Sequence, residues 1–333
     1  MGILGFKFHF AFQDRDVIFM ARNPHLRKAG MVRFSGLCSD ASYILRSKDE
    51  NILTQEYLAI QLQSDHFWDY CESHKVGSVN FANNWSSIAN YEFDLPTIDK
   101  QREIADKVWA AYEVKKAYRS MIKATDEMVK SQFIEMFGSI DNNKHRYPVC
   151  RISEVCDILN GYAFQSKKYV DTGIRVIRIA NVQKGYIEDT DPQFYPSSLF
   201  DEYEKYMLFE NDLLLSLTGN VGRVGLLPKE MLPAALNQRV ACIRPTERIN
   251  KTFLFKMMNL DSFEKDCIDN SSGSAQKNMS TEWLKRYKFI LPPMYEQKKF
   301  VRISEQADKS KFELKKAIEA IDKVIKSLIN ENL

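Results

Sequence analysis

The side chains that most often do chemistry are sparse here and badly placed for it. The five histidines, at positions 9, 25, 66, 74 and 145, form no metal-ligand spacing. No glycine-rich loop ends in Gly-Lys-Ser or Gly-Lys-Thr, which argues against a phosphate cradle of the Walker kind. Glu127 to Lys130 and Glu202 to Lys205 carry acids and a lysine as a nuclease would, but both lie in charge runs that read as helical or solvated. Neither Asn23-Pro24-His25 nor Pro292-Pro293-Met294 completes an Asn-Pro-Pro-aromatic motif. What the chain offers is hydrogen bonding. Ser166-Lys167-Lys168, Arg178, Asn181, Thr218-Gly219-Asn220, Arg223, Asn237-Gln238-Arg239 and Ser271 to Asn278 are polar and poor in acids. Nearer the start, Arg22-Asn23, His25 to Lys28, Ser73-His74-Lys75, Ser78 and Asn83-Asn84 are similar. Taken singly, each reads more simply as a solvated loop or turn.

Composition bounds what must position them. With 333 residues, 44% hydrophobic, 12% aromatic and 27% charged, the chain has the profile of a globular protein of two or more domains. Lys plus Arg number 47 against 44 Asp plus Glu, so net charge says nothing about polyanionic partners, and any such surface must come from local clustering. The six cysteines lack paired zinc spacings and are too few for a disulfide scaffold; they read as reduced, buried thiols. The first twelve residues lack a basic leader and a cleavage pattern, and no stretch approaches the ~20 apolar residues of a membrane span, so a cytoplasmic protein of a bacterium or archaeon, with no membrane partner, is expected.

Comparing the chain with itself is more informative. At a shift of 196 positions, Tyr57 to Gln101 aligns without gaps on Phe253 to Gln297. Identities fall at Leu58/Leu254, Asp65/Asp261, Phe67/Phe263, Cys71/Cys267, Gly77/Gly273, Ser78/Ser274, Tyr91/Tyr287, Phe93/Phe289, Leu95/Leu291, Pro96/Pro292 and Gln101/Gln297. The same shift pairs Asp16-Val17-Ile18-Phe19 with Asp212-Leu213-Leu214-Leu215, an acidic turn residue leading into a buried strand. The chain is a tandem duplication of units large enough to fold by themselves. Each unit reads as α+β: strands at 174–179 and 240–243, a helix from Thr252 to about Cys267, a glycine loop, a short helix around Ser280 to Lys285, and a strand from Tyr287 to Leu291 that stops at Pro292-Pro293.

After each proline stop a stretch without Gly or Pro follows, Asp99 to Phe137 and Met294 to Leu333. Ile303, Ala307, Ser310, Leu314, Ala317, Ile321, Val324 and Leu328 alternate at four and three, the seam of a coiled coil. Ile104, Ala111, Val114, Tyr118, Met121, Thr125 and Met128 repeat the phase, with Ile122, Val129, Ile318 and Ile325 widening the stripe. Each helix would run roughly 55–60 Å. Two such helices are expected to pair antiparallel through Ile104, Ala111, Tyr118, Thr125, Ala307, Leu314, Ile321 and Leu328 and to hold the two domains apart. The alternative is that each helix covers only its own domain.

These pieces carry a resemblance. Leu95 to Ile104 and Leu291 to Phe300 look like the junction that specificity subunits of type I restriction-modification systems carry between a target recognition domain and the helix after it. Asn160 to Ser166 resembles the opening of such a domain, Ser216 to Gly225 its central turn, Gly273 to Gln276 the loop before its last helix, and Ser131 to Gly138 the end of the central conserved region. The match covers nearly the whole chain. It implies a partial first recognition domain at 1–97, a long helix at 98–138, a linker at 139–145, a complete second domain at 146–293 and a last helix at 294–333. The counterpart of Tyr147 to about Ser197 would precede residue 1, so the first domain is expected to lack its opening third.

The resemblance also implies a function. The chain would recognise a bipartite site in double-stranded DNA and carry no catalysis and no metal. Two methyltransferase subunits would dock on its helices, a restriction subunit would join them, and S-adenosylmethionine, ATP and Mg²⁺ would belong to those partners. Base edges are discriminated by bidentate Arg, Asn, Gln and Lys, whereas phosphate contacts fix register. The candidate DNA-binding residues are then Phe164, Lys167, Lys168, Arg178, Asn181, Thr218, Asn220, Arg223, Asn237, Gln238, Arg239, Ser274, Gln276 and Lys277, with Arg22, Lys28, Lys75 and Ser78 in the first domain. Tyr162, Phe164 and Trp283 could stack on bases, though aromatic residues beside strands are more often core. Two other readings stand beside this one: a regulatory or inactive relative that occupies methyltransferase subunits without directing them, and an enzyme whose site carries no familiar motif.

Overall fold

A computed structural model describes residues 8–78, 81–273 and 277–333. In chain order the elements are strands β1 (Phe8–Phe12), β2 (Val17–Met20), β3 (Ala29–Met31), β4 (Gly36–Ser39) and β5 (Ser42–Leu45), then helices α1 (Gln55–Gln61), α2 (Asp65–Ser73), α3 (Trp85–Ala89) and α4 (Ile98–Phe137). There follow β6 (Val149–Arg151), β7 (Cys156–Asn160), β8 (Ile174–Ile177), β9 (Val182–Gln183), β10 (Tyr186–Ile187), β11 (Phe194–Tyr195), β12 (Met207–Leu208), β13 (Leu213–Ser216), β14 (Val224–Leu226), β15 (Ala234–Leu236) and β16 (Val240–Pro245). The chain closes with α5 (Lys251–Met258), α6 (Asp261–Asp269), α7 (Thr281–Arg286), β17 (Lys288–Ile290) and α8 (Met294–Asn332). It divides into two compact units, residues 1–123 with 311–333, and residues 124–310.

The second unit holds two four-stranded sheets. One is antiparallel in the order β14-β13-β16-β7; the other is β11-β8-β15-β12, with β8 and β15 parallel. A β17-β6 pair stands beside them. Leu213, Leu215, Ala241 and Ile243 face Phe253, Leu254, Phe263 and Leu284 of the helices in one dry core. The single helix expected from Thr252 to Cys267 is two helices. Asn259 closes α5, and Leu260 turns extended (φ −68°, ψ 144°) before α6 begins.

The first unit repeats part of this. Its β3-β2-β5 sheet corresponds to β14-β13-β16, and its β1-β4 pair corresponds to β12-β15. In each unit the acid ahead of the central strand is buried and bound by an arginine of the neighbouring strand end. Arg46 Nε and Nη2 donate to Asp16 at 2.5 and 2.6 Å, and Arg244 does the same to Asp212 at 3.0 and 2.7 Å. The duplicated glutamines have equivalent duties. Gln101 accepts from the Thr54 amide and donates to the Pro96 carbonyl; Gln297 accepts from the Asn250 amide and donates to the Pro292 carbonyl. Each therefore ties the N-cap of α1 or α5 to the proline stop ahead of the long helix. All six cysteines are free and buried, and burial pushes the Cys71 and Cys156 thiols up to about 12.

Within both units, parts of α4 and α8 pack antiparallel. In the first, Ile104, Ala105 and Val108 share a core with Ile325, Ile329 and with Tyr57 and Ile60 of α1. In the second, Val129, Phe133 and Phe137 meet Phe300, Val301 and Ala307. The stripe the heptads suggested is buried only in part. Val114, Met121, Met128 and Val324 are exposed by 42–52%, whereas Val108, Val129 and Ile325 are buried. The second seam position lies one residue later, at Val108, Lys115, Ile122 and Val129. Lys115 hid this register. Its ammonium pairs with Asp322 while its side chain stays only 16% exposed, the stem lying along apolar surface. Of the seam residues named from sequence, Ile104 and Ala307 are buried, and Ala111, Tyr118, Thr125, Leu314, Ile321 and Leu328 are half-buried.

Candidate nucleic-acid interface

At one end of the β14-β13-β16-β7 sheet, four loops are stitched together through their backbones. Tyr162 N–H donates to the Leu236 carbonyl at 2.8 Å, and Gln238 N–H returns a bond to Tyr162 at 2.9 Å. Leu217 N–H reaches the Arg239 carbonyl, Gly219 N–H the Lys277 carbonyl, and Met279 N–H the Leu217 carbonyl, all at 2.8–2.9 Å. Gly161 is required for this approach, because a Cβ there would lie 2.2 Å from the Asn237 oxygen. Thr218 Oγ1 donates to Asn278 Oδ1 at 3.0 Å, fixing that amide.

These stitches frame an open polar cleft of about 500 Å³ lined by Asn160, Thr218, Gln238, Arg239, Asn278 and Thr281, among others. Asn220, Gln238, Arg239 and Lys277 are exposed on these loops. Neither Arg239 nor Lys277 has a carboxylate partner among the described residues. A rigid rim presenting a guanidinium, an ammonium and carboxamides to solvent can bind a planar hydrogen-bonding edge or an anion.

The first unit builds the same rim. Arg22 bridges Ala82 where Thr218 bridges Asn278, and Val76 bridges Ala82 where Ser272 bridges Asn278. Asn23 N–H donates to the Phe81 carbonyl at 2.8 Å, as Gly219 does to Lys277. Asn23 (φ 55°) and Gly219 (φ 73°) share the left-handed conformation, which asparagine tolerates better than most residues. Arg22 is exposed, with no carboxylate partner among the described residues.

Other candidates fall elsewhere. Phe164 is 9% exposed and packs on Tyr195 with ring centroids 4.7 Å apart, in a cluster with Tyr162 and Tyr203 where burial raises the Tyr203 pKa. Asn181 is buried and spent on its own turn, accepting from Arg178 N–H and donating to the Glu188 carbonyl. Arg178 pairs with Asp191 at 2.8 Å, and Arg223 donates to Gln183 at 2.5 Å. Lys167 and Lys168 are exposed on a short 3₁₀ turn away from the cleft lining. Lys28 and Ser78 are exposed; Lys75 is held by Glu72 at 2.6 Å and sits over the Phe81 ring. Asn237 spends Oδ1 on the Arg239 amide. Ser274 and Gln276 lie outside the described residues. Reasoning from sequence missed Ser280 and Thr281, which line the cleft; Ser280 was legible as a capping residue, since it accepts from Trp283 N–H, but nothing tied it to the rim.

The two units thus present exposed cations on loops held by matching backbone bonds. The family described as the type I restriction modification DNA specificity domain matches residues 145–322, more than half of the chain. The chain belongs to this family. The specificity subunit of the type I restriction enzyme MjaVIII from Methanocaldococcus jannaschii is 26% identical over 72% of this chain and 61% of its own length. That of EcoAI from Escherichia coli is 31% identical over 46% of this chain and 26% of its own. The matches thus span less than two thirds of either relative. A solved structure describing complex assembly and conformational transition of the type I R-M system aligns over 99% of this chain and 85% of its own, with TM-score 0.62 and 19% identity. The type I S subunit from M. genitalium aligns over 98% and 84%, with TM-score 0.53 and 13% identity. At such identities these two show the fold. No helix among the described residues is long and apolar enough to cross a membrane.

Proposed function

We propose that this chain is the DNA specificity subunit of a type I restriction-modification complex, its two units reading two parts of a split site in double-stranded DNA. The observation that carries this is the duplicated rim, with Arg22 in one unit and Asn220, Gln238, Arg239 and Lys277 in the other set out in solvent on loops fixed by the same backbone bonds. Arg239, Gln238 and Asn220 suit base edges, and Lys277 suits phosphate. Lys167, Lys168 and Lys28 would add phosphate contacts outside the rim.

Catalysis belongs, on this reading, to methyltransferase and restriction subunits that use S-adenosylmethionine, ATP and Mg²⁺. Docking of methyltransferase subunits on the helices is supported by Val114 and Met121, exposed apolar residues seven apart on α4. The test is to co-express the chain with a type I methyltransferase subunit encoded beside it and map methylated adenines genome-wide. A split motif is expected; absence of any motif, together with no retardation of DNA at low salt, where phosphate contacts are strongest, overturns the proposal. A regulatory relative that binds methyltransferase subunits without directing them is the second reading. Co-purification without methylation would establish it.

A further inference from the structure

Beside β17 the second unit has an open pocket of about 340 Å³ lined by Asp266, Asn270, Trp283, Arg286, Tyr287 and Lys288, among others; it shares no lining residue with the polar cleft. Trp283 and Tyr287, both half-buried, give it aromatic walls with ring centroids 5.3 Å apart. Tyr287 Oη donates to Asp266 Oδ2 at 3.0 Å, and burial raises the phenol's pKa, which keeps the proton on the donor. Asp266 Oδ1 accepts no hydrogen bond among the described residues. Asn270 spends Nδ2 on the Asp266 carbonyl at 2.9 Å, so its Oδ1 is a second open acceptor. Arg286 and Lys288 are exposed, and neither pairs with a carboxylate among the described residues, whereas Lys285 is held by Glu282. Lys288 also stands directly across the ladder from Arg151, likewise exposed, which sets like charges side by side.

The duplication shows what this space accepts. The residues equivalent to Asp266, Asn270, Trp283 and Tyr287 are Tyr70, His74, Ser87 and Tyr91. The Tyr70 ring lies 5.0 Å from that of Tyr91 and 4.0 Å from that of His74, and its hydroxyl donates to the Ser87 carbonyl at 2.9 Å. The first unit therefore packs an aromatic ring of its own against this tyrosine, where the second has only the short Asp266 side chain. Asn90 and Glu92 occupy the places of Arg286 and Lys288, so the two cations accompany the open pocket and not the filled one.

We propose that this pocket binds a single nucleotide whose base carries an exocyclic amino group, with the ring on Trp283 and Tyr287, the amino group on Asp266 and Asn270, and the phosphate on Arg286 and Lys288. Aromatic walls favour a flat ring, two open acceptors call for an N–H donor, and unpaired cations call for an anion. A base with a carbonyl in place of the amino group sets an oxygen against the carboxylate and is disfavoured. Such a nucleotide is supplied either free or as an unpaired residue of a strand.

The full-length protein is titrated with AMP, UMP and adenosine by calorimetry at low salt, without duplex DNA. Saturable binding of AMP is expected, with UMP and adenosine each weaker by about tenfold or more. Asp266→Asn, which keeps the size of the side chain, should erase the preference for AMP over UMP. Arg286→Gln combined with Lys288→Gln should bring AMP down to the level of adenosine. A single-stranded thymidine-adenosine-thymidine trinucleotide that binds about tenfold tighter than AMP would identify a strand as the source, and one that binds no tighter would identify the free nucleotide. No saturable binding of AMP or of the trinucleotide, equal binding of AMP and UMP, or a preference that survives Asp266→Asn would each overturn the proposal. Loss of AMP binding in Arg239→Ala would place the nucleotide in the polar cleft and overturn it too. Because no duplex is present, failure here leaves the specificity reading untouched, and a silent methylation map leaves this one untouched.

Discussion

Asp16 shows what a single buried acid does in this fold. It is 2% exposed, and the Arg46 hydrogen bonds hold its carboxyl below the usual range against the opposing cost of burial, helped by the Gln13 amide. A carboxylate depressed in the folded state contributes stability that is present above its unfolded pKa and is lost as pH falls through the folded one. Asp16→Asn is therefore expected to cost about 1–3 kcal/mol at neutral pH, with the gap to the parent closing below about pH 4, as measured by urea unfolding across pH. The acid itself was legible in the sequence as a turn residue ahead of an apolar run. Its partner was not, because Arg46 and Arg244 are offset by 198 positions rather than 196, a change of loop length that a gapless comparison hides. The same limit applies to Arg178, Asn181 and Arg223, polar residues whose types suit base recognition but whose side chains are engaged within the fold. Residue type names a capacity; only geometry says whether it is already spent.

At the scale of elements, the duplicated glutamines and the helix stripe make opposite points. Gln101 and Gln297 were legible as a repeat, and the bonds explain why: each satisfies an N-cap amide and a proline-stop carbonyl that neither helix can serve. Gln297 is 1% exposed, so Gln297→Leu, which fills the space but leaves those groups unpaired, is expected to destabilise the second unit by about 1–3 kcal/mol. Hydrogen exchange should report it as faster opening near Asn250. The helices themselves were legible from length and the lack of Gly and Pro, but the seam only in part: of the two apolar stripes one residue apart, the buried one gave Ile122 and Val129, while Val108 was missed because Lys115 interrupts it. Stability separates them. Val108→Ala, at 0% exposure, is expected to cost about 2–4 kcal/mol, and Val114→Ala, at 42%, no more than about 0.5 kcal/mol in the isolated chain. If Val114 and Met121 instead serve a docked methyltransferase subunit, Val114→Glu should spare folding and abolish co-purification.

For the molecule as a whole, the duplication makes a prediction that neither unit makes alone. Were the chain a single recognition surface, weakening any contact residue would degrade the whole site together. Two units with equivalent rims predict separable effects. Arg239→Ala removes a guanidinium from the second rim and should relax base preference in one part of the methylated motif, a loss of about 1–3 kcal/mol of discrimination at one position, while leaving the other part intact. Arg22→Ala, in the first rim where Thr218 stands in the second, should relax the other part. Lys277→Ala should weaken binding to all sequences alike and flatten its salt dependence without altering the motif, because a phosphate contact carries register and no sequence. The readout is the motif recovered from methylated genomic DNA for each variant co-expressed with its methyltransferase subunit. If Arg22→Ala and Arg239→Ala change the same positions, the units do not read separate parts of the site. If Arg22→Ala changes nothing while Arg239→Ala does, the first rim is silent, and the chain directs methylation through its second unit alone.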